Sequence, residues 1–323
     1  MEILTESTHD IRFSPDFGQE VKAAMSMAVI KTNEYYKYQA LFRQVYEQEK
    51  GKEVSPSVLA FVSSINGVDF ENSGIISLIP SGKEEDRDGV AVEDPTIMIV
   101  DNQINVFHTS VEQKPNGKYF TSIGWVKGNN LEQLDVSNRK LILTPESAGL
   151  ALKMNVNMVK EPEFILTKDG RWRMIYEVAD GKTSRIAIAE ANKLTGPYYH
   201  HRLLIDTREN KWDSQHVSPG PILKTSRGDL IMFYNGRGDY NELDKTPTWK
   251  IGYVMIDAKS GNVIEGTRSN DAIIIPPKEI GPDGQLIAFA NSIIQGEQYL
   301  YYTVADKRSR VARLIINGAR LAT

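Results

Sequence analysis

The sequence contains no cysteine. That excludes disulfides, iron–sulfur clusters, thiolate zinc sites and thiol nucleophiles. It contains no apolar run near the roughly 20 residues needed to span a bilayer; the longest runs, such as Ile273-Ile274-Ile275, stop at prolines. It has no surplus of positive charge: 38 Lys plus Arg against 42 Asp plus Glu leave a formal charge of −4. A general nucleic-acid binder needs a net basic face to displace counterions, so that class is disfavoured. The residues Met1–Asp10 have neither a basic n-region nor an apolar h-region. A secretory signal is therefore not expected, nor a membrane partner, and a soluble cytoplasmic protein is the expectation unless a signal has been removed.

Several chemical signatures are also missing. The five histidines, His9, His108, His200, His201 and His216, show no His-Glu-x-x-His spacing. There is no Gly-x-Ser-x-Gly elbow, no phosphate-cradling P-loop and no dinucleotide-binding glycine turn. Zincin, serine-hydrolase and nucleotide-dependent chemistries thus find no support, and neither a metal nor a redox cofactor is expected.

What the chain does have is short strands. Runs rich in Tyr, Phe, Ile and Val, bounded by Gly, Asn, Asp and Pro, recur at Val58–Val62, Thr96–Val100, Arg171–Glu177, Arg185–Ala189, Leu230–Tyr234, Lys250–Ile256 and Gln298–Val304. Helical periodicity is scarce, so the pattern reads as all-β. Five aromatic-rich strands end at Phe42, Phe107, Tyr176, Tyr234 and Tyr302, at intervals of 65, 69, 58 and 68 residues. Each follows a small turn, and the first four are followed by another strand. A period of this length with several strands per unit is the mark of a propeller, whose units cannot bury both faces alone. The expectation is one five-bladed β-propeller domain over residues 1–323, with four strands per blade. A β-sandwich with accidental spacing is the alternative.

Blades of a propeller aim the leading end of the inner strand at a common axis, and chemistry is sought there. Val92-Glu93-Asp94-Pro95-Thr96-Ile97 places two carboxylates before a proline at the start of an apolar strand. Pro95 biases Asp94 toward extended backbone, and in such a stretch Glu93 and Asp94 point opposite ways. Lys160-Glu161-Pro162-Glu163-Phe164-Ile165 repeats the design one blade later. Two carboxylates on facing inner strands are what glycosidic cleavage needs: one protonates the leaving oxygen, the other activates water or attacks. The ordinary reading of each motif is a solvated loop. Of the four tryptophans, which more often belong to cores, Trp212 beside a polar loop is the candidate sugar platform. The strand end Tyr234-Asn235-Gly236-Arg237-Gly238-Asp239-Tyr240 runs into a polar, Gly-rich loop.

Glu93-Asp94-Pro95 resembles the Glu-Asp-Pro-Arg signature of glycoside hydrolase family 130. Leu41-Phe42-Arg43, Ser63–Phe70, Trp212 with Gly220-Pro221-Ile222, Tyr234-Asn235-Gly236, Tyr301-Tyr302 and Ala305-Asp306 are similar to further motifs of that family, in the same order. The resemblance implies a five-bladed propeller acting on β-mannosides, as an inverting phosphorylase or hydrolase. It implies Asp94 as general acid, with Arg43, Lys160 and Asp306 lining the glycone or phosphate pocket. Thr96 and Asn235 stand where the family has Arg and His of its phosphate-binding set. Neutral, shorter side chains there weaken anion binding. The Lys160-Glu161-Pro162 segment and Leu194-Thr195-Gly196-Pro197-Tyr198 look like third-blade features of glycoside hydrolase family 43, where the Glu is the general acid, but Met25-Ser26-Met27 lacks that family's Asp base.

The combined expectation is an inverting hydrolase of oligosaccharides, with Asp94 as acid, Glu161 or Glu163 as base, and Arg43, Glu93, Lys160, Trp212, Asn235 and Asp306 binding substrate. A phosphorylase, a mannosyltransferase and a non-catalytic sugar-binding propeller are the rivals.

Overall fold

A computed structural model describes residues 1–18, 20–47, 55–114, 117–238, 246–282 and 284–322. The chain is all-β and propeller-like. Its strands form consecutive antiparallel units joined edge to edge. The first unit contains Val21–Lys31, Tyr38–Tyr46, Ser57–Ser64 and Asp69–Leu78. The second contains Ala91–Val100, Gln103–Gln113, Tyr119–Gly128 and Leu134–Leu143. Met158–Leu166, Trp172–Ala179, Ser184–Ala191 and Tyr199–Ile205 make the third.

The fourth unit departs from the expected four strands. It has three, His216–Lys224, Leu230–Gly238 and Thr248–Ile256. Isolated bridges from Val263 and Ile274 stand where a fourth strand is expected. The segment between carries Gly261, Gly266, Pro276 and Pro277, which interrupt a ladder. The last unit, Leu286–Ile294, Tyr299–Val304 and Arg308–Asn317, takes its outer strand, Glu2–Asp10, from the other end of the chain. One short helix, Pro145–Leu152, was not foreshadowed by periodicity. It is set by Thr144, whose hydroxyl caps Ser147 N–H, and by Pro145 in the first turn.

The first strands of the units lie side by side. A cavity of about 290 Å³ runs between them, lined by Val29, Thr96, Glu163, Ile222 and Ser292, one from each unit. The last unit is tied to the first by Val29 N–H donating to Ser292 Oγ (3.1 Å) and Ser292 Oγ donating to Met27 O (2.7 Å).

Each first strand breaks its pairing register at the same place: between Met25 and Ala28, Glu93 and Thr96, Lys160 and Glu163, Pro219 and Ile222, and Ala290 and Ser292. A bulge leaves a residue outside the ladder and turns its side chain. Pro95, Pro162 and Pro221 sit in these bulges, where no ladder donor is required. Among the described residues no helix is long and apolar enough to cross a membrane.

Candidate active site

The bulges make the site. Asp94 (φ 46°) and Glu161 (φ 53°) occupy equivalent bulge positions in the second and third units, both in the left-handed region. For a residue with a Cβ, that conformation costs roughly 1–3 kcal/mol. The expectation that Pro95 holds Asp94 extended is thus overturned, because the extra bulge residue must turn out of the ladder. Glu93 and Asp94 take different direct partners, Arg43 for Glu93 and Glu161 for Asp94, while both charges act on the Arg43 guanidinium.

Arg43, within the second strand of the first unit, forms an ion pair with Glu93. Its Nε donates to Ser57 Oγ (3.3 Å), and Ser57 Oγ donates to Val92 O (3.1 Å), fixing the first unit to the second. Asp306 (φ 49°), in the turn after Tyr299–Val304, acts on both Arg43 and Glu93 from the last unit. Lys160 lies 3.8 Å from Glu177 Oε1 and also interacts with Glu161, Asp94 and Glu93. Five carboxyls therefore share this region with two cations. Three negative charges stay uncompensated if all ionise.

The consequence is proton retention. Burial, then the Asp94 charge, pushes the Glu161 carboxyl well above the usual carboxylate range, and the Glu161 carboxyl is hydrogen-bonded to Asp94. Burial raises Glu93 against the opposing pull of Arg43. Burial likewise raises Glu177, with Lys160 opposing. Lys160 is raised, chiefly by Glu177. Burial works against the Arg43 charge, but Glu93, Asp94, Asp306 and Glu161 together outweigh it and leave Arg43 raised. Of the two hydrogen-bonded carboxyls, Glu161 is the one whose environment favours keeping a proton, because burial and the neighbouring Asp94 both raise it. Two carboxyls in hydrogen-bond contact leave no room for water between them. The roughly 6.5–9.5 Å of an inverting acid–base pair is not found between Asp94 and Glu161.

The structure thus brings together Arg43, Glu93, Asp94, Lys160, Glu161 and Asp306. Three other candidates lie elsewhere. Glu163, on the far side of the third bulge, lines the cavity between the first strands, and burial alone lifts it to about 8. Asn235 is fully buried; its Nδ2 donates to Pro219 O (3.2 Å) and Ala290 O (3.3 Å), and its Oδ1 accepts from Ala290 N–H (2.6 Å). It ties the fourth unit to the fifth, and these bonds commit its amide to backbone. Trp212 stacks on Tyr234, with ring centroids 5.3 Å apart, and covers Gly236 and Gly252 so closely that a Cβ at either would come within 2.5 Å of its ring. It is a packing residue whose edge opens on a separate cleft. Asp239 and Tyr240 of the polar loop lie outside the described residues.

Glu177 was missed. It is 3% exposed at the site, within a strand buried along its whole length. The available signal was an acid interrupting the apolar run Met174-Ile175-Tyr176 ahead of Val178. A charge there needs a partner, and Lys160 provides it.

Two of these placements yield stability predictions. Asn235→Ala leaves Ala290 N–H and two carbonyls unpaired in a dry interior, at about 1–3 kcal/mol for an unsatisfied group. Its melting temperature should fall by several degrees, while an exposed substitution such as Lys182→Ala should leave it unchanged. Glu163 binds a proton more tightly folded than unfolded, so its contribution falls as pH rises from about 4.5 to about 8. Glu163→Gln removes that decline. The melting temperature of the variant should exceed that of the parent at pH 8 and match it at pH 5, and a constant offset across that range contradicts the buried-acid assignment.

No family model matches this sequence, and no curated protein matches it. Solved structures do. β-1,2-Mannobiose phosphorylase from Listeria innocua, in complex with β-1,2-mannobiose, is 17% identical over 97% of this chain and 96% of its own, with a TM-score of 0.72. A structure from glycoside hydrolase family 130, described as containing hydrolases that target β-1,2 mannosidic linkages in Candida mannan, is 17% identical over 94% of this chain and 86% of its own (TM-score 0.69). A mannose phosphorylase from Leishmania mexicana, in complex with a phosphate ion, is 14% identical over 96% and 88% (TM-score 0.67). At these identities the likeness is one of fold along nearly the whole chain.

Proposed function

We propose that the chain is an inverting glycosidase that hydrolyses β-mannosides, built on a single five-bladed propeller over residues 1–323. The observation that carries hydrolysis over phosphorolysis is the carboxylate excess. Arg43 and Lys160, the cations a phosphate dianion would use, already face Glu93 and Glu177, and three further carboxyls surround them. Thr96 adds no charge, and its hydroxyl donates to Pro162 O at 2.8 Å. A phosphate dianion entering this region meets net repulsion, while water does not. Mannoside as the substrate class rests on the fold likeness together with the Glu93-Asp94-Pro95 motif.

The roles follow from the charges. The Asp94–Glu161 pair supplies one proton to the leaving glycosidic oxygen. Glu161, raised by burial and by Asp94, is the member assigned as the proton donor, and Asp94 holds its carboxyl in place by their hydrogen bond. Asp306 belongs to the last unit and acts on Arg43 and Glu93; we assign it the role of base. It accepts the proton of the attacking water, and Arg43 positions it. Attack from the face opposite the departing oxygen inverts the anomeric centre. Glu93 and Lys160 orient Arg43 and the acid pair and hydrogen-bond sugar hydroxyls.

Turnover of β-manno-oligosaccharides of different linkage, with and without inorganic phosphate, tests this reading. Free mannose in equal yield under both conditions supports it. A sugar 1-phosphate formed only with phosphate replaces it by the phosphorylase reading, for which the two retained cations speak. No turnover of any glycoside leaves a sugar-binding propeller.

A further inference from the structure

A second concavity lies at the opposite ends of the first strands. The acid cluster occupies the leading halves of those strands, whereas this groove is built from their trailing ends and the turns that follow, between the third and fourth units. Its volume is about 650 Å³, within the range typical of small-molecule sites. The floor is apolar: Phe164, Ile165, Ile222 and Leu230, with Leu166 54% exposed at the rim.

The rim is basic. Lys168, Lys224, Arg227 and Lys259 surround the mouth, and among the described residues none has an ion-pair partner. This contrasts with Arg171 beside them, which is bound to Asp169 and Glu190. The lining as a whole carries five cations, Arg171 included, against three carboxylates, Asp169, Asp229 and Asp257, a local excess of two positive charges on a chain of net charge −4. The Lys168 ammonium reaches from the third unit to the fourth, 3.8 Å from where a side chain at Gly228 would begin.

The walls are preorganised. Thr167 Oγ1 donates to Arg171 O (2.7 Å) and Thr225 N–H donates to Asp229 O (2.8 Å), closing the two hairpin turns. The third wall, at Ala258 and Lys259, is pinned by Arg173. That guanidinium is 2% exposed, and it donates to Ala258 O and Lys259 O, both at 2.7 Å. A buried arginine spent on two carbonyls of a turn holds that turn still, and a groove that needs no ordering loses less on binding.

We propose that this groove is a second ligand site, separate from the acid cluster, that takes a small organic anion with an apolar body. The apolar floor accepts the body, and Lys168 and Arg227 receive the anionic group at the rim. Sugars, which are polar and uncharged, suit neither element.

Fluorescence titration with anilinonaphthalene sulfonate, an aryl anion, tests the proposal on the whole protein, with the uncharged N-phenylnaphthylamine as comparison. The expected result is saturable one-to-one binding of the anion, weakened by salt, on the order of 10-fold weaker in Lys168→Glu/Arg227→Glu and undisturbed by manno-oligosaccharide. Both substituted side chains are exposed, so the variant should keep the parent melting temperature. The uncharged dye should bind parent and variant alike, and Leu166→Gln should weaken both dyes. Absence of saturable binding overturns the proposal. So does anion binding that the charge reversal leaves unchanged, and displacement by manno-oligosaccharide assigns the dye to the acid cluster instead.

Discussion

Asp94→Asn and Glu161→Gln should each lower turnover of an unactivated β-mannoside by about 10²- to 10⁴-fold, the usual contribution of a positioned acid. The reason is the shared proton. An amide at position 94 removes the charge that helps hold the proton on Glu161, and an amide at 161 removes the proton itself. A leaving group that departs as a stable anion needs no proton. With dinitrophenyl β-mannoside both variants should therefore approach the parent rate. If the loss is as large with the activated substrate as with the oligosaccharide, the pair acts in binding or folding and not as the acid. The pH profile adds an independent check. Because the Asp94 charge raises Glu161, the residual activity of Asp94→Asn should fall away at lower pH than that of the parent.

Asp306→Asn should cost a comparable factor, with the opposite dependence on substrate. A water-activating base is needed whatever the leaving group, so the loss of about 10²- to 10⁴-fold should persist with dinitrophenyl β-mannoside. KM should change little, because Arg43 keeps Glu93 as its partner. Parent-like turnover in Asp306→Asn excludes it as the base. Glu163 in the cavity between the first strands is the next carboxyl to examine, since burial alone raises it.

The repeat of aromatic strands was legible because each middle strand is largely buried and carries large apolar side chains at its centre; Phe42, Phe107, Tyr176, Tyr234 and Tyr302 are all buried. The acid-then-proline motifs were legible because proline is tolerated in a strand only where the ladder is broken. What could not be read was the direction of the break. Local preference places a residue before proline in extended backbone, yet Asp94 and Glu161 are left-handed, since a bulge imposed by the pairing partner outweighs that preference.

Residues that act between units were equally hidden. Asn235 looks the same in sequence whether it meets a ligand or the Ala290 backbone, and only the neighbouring unit decides. Trp212 looks exposed beside its polar loop, but Gly236 and Gly252, 24 and 40 positions on, make the surface it covers. Glu177 gained its role from Lys160 on the adjacent strand, a pairing set by register and not by spacing in the chain. The missing fourth strand of the fourth unit follows from glycines and prolines that were visible, but whose effect depends on whether an edge is to be covered.

Proton NMR of the first-formed sugar in phosphate-free buffer tests the central claim most directly. With a β-1,2-linked manno-oligosaccharide, the α-anomer of free mannose should appear before mutarotation mixes the anomers, because water attacks opposite the oxygen protonated by Asp94–Glu161. A β-anomer appearing first, or no sugar at all until phosphate is added, contradicts the account.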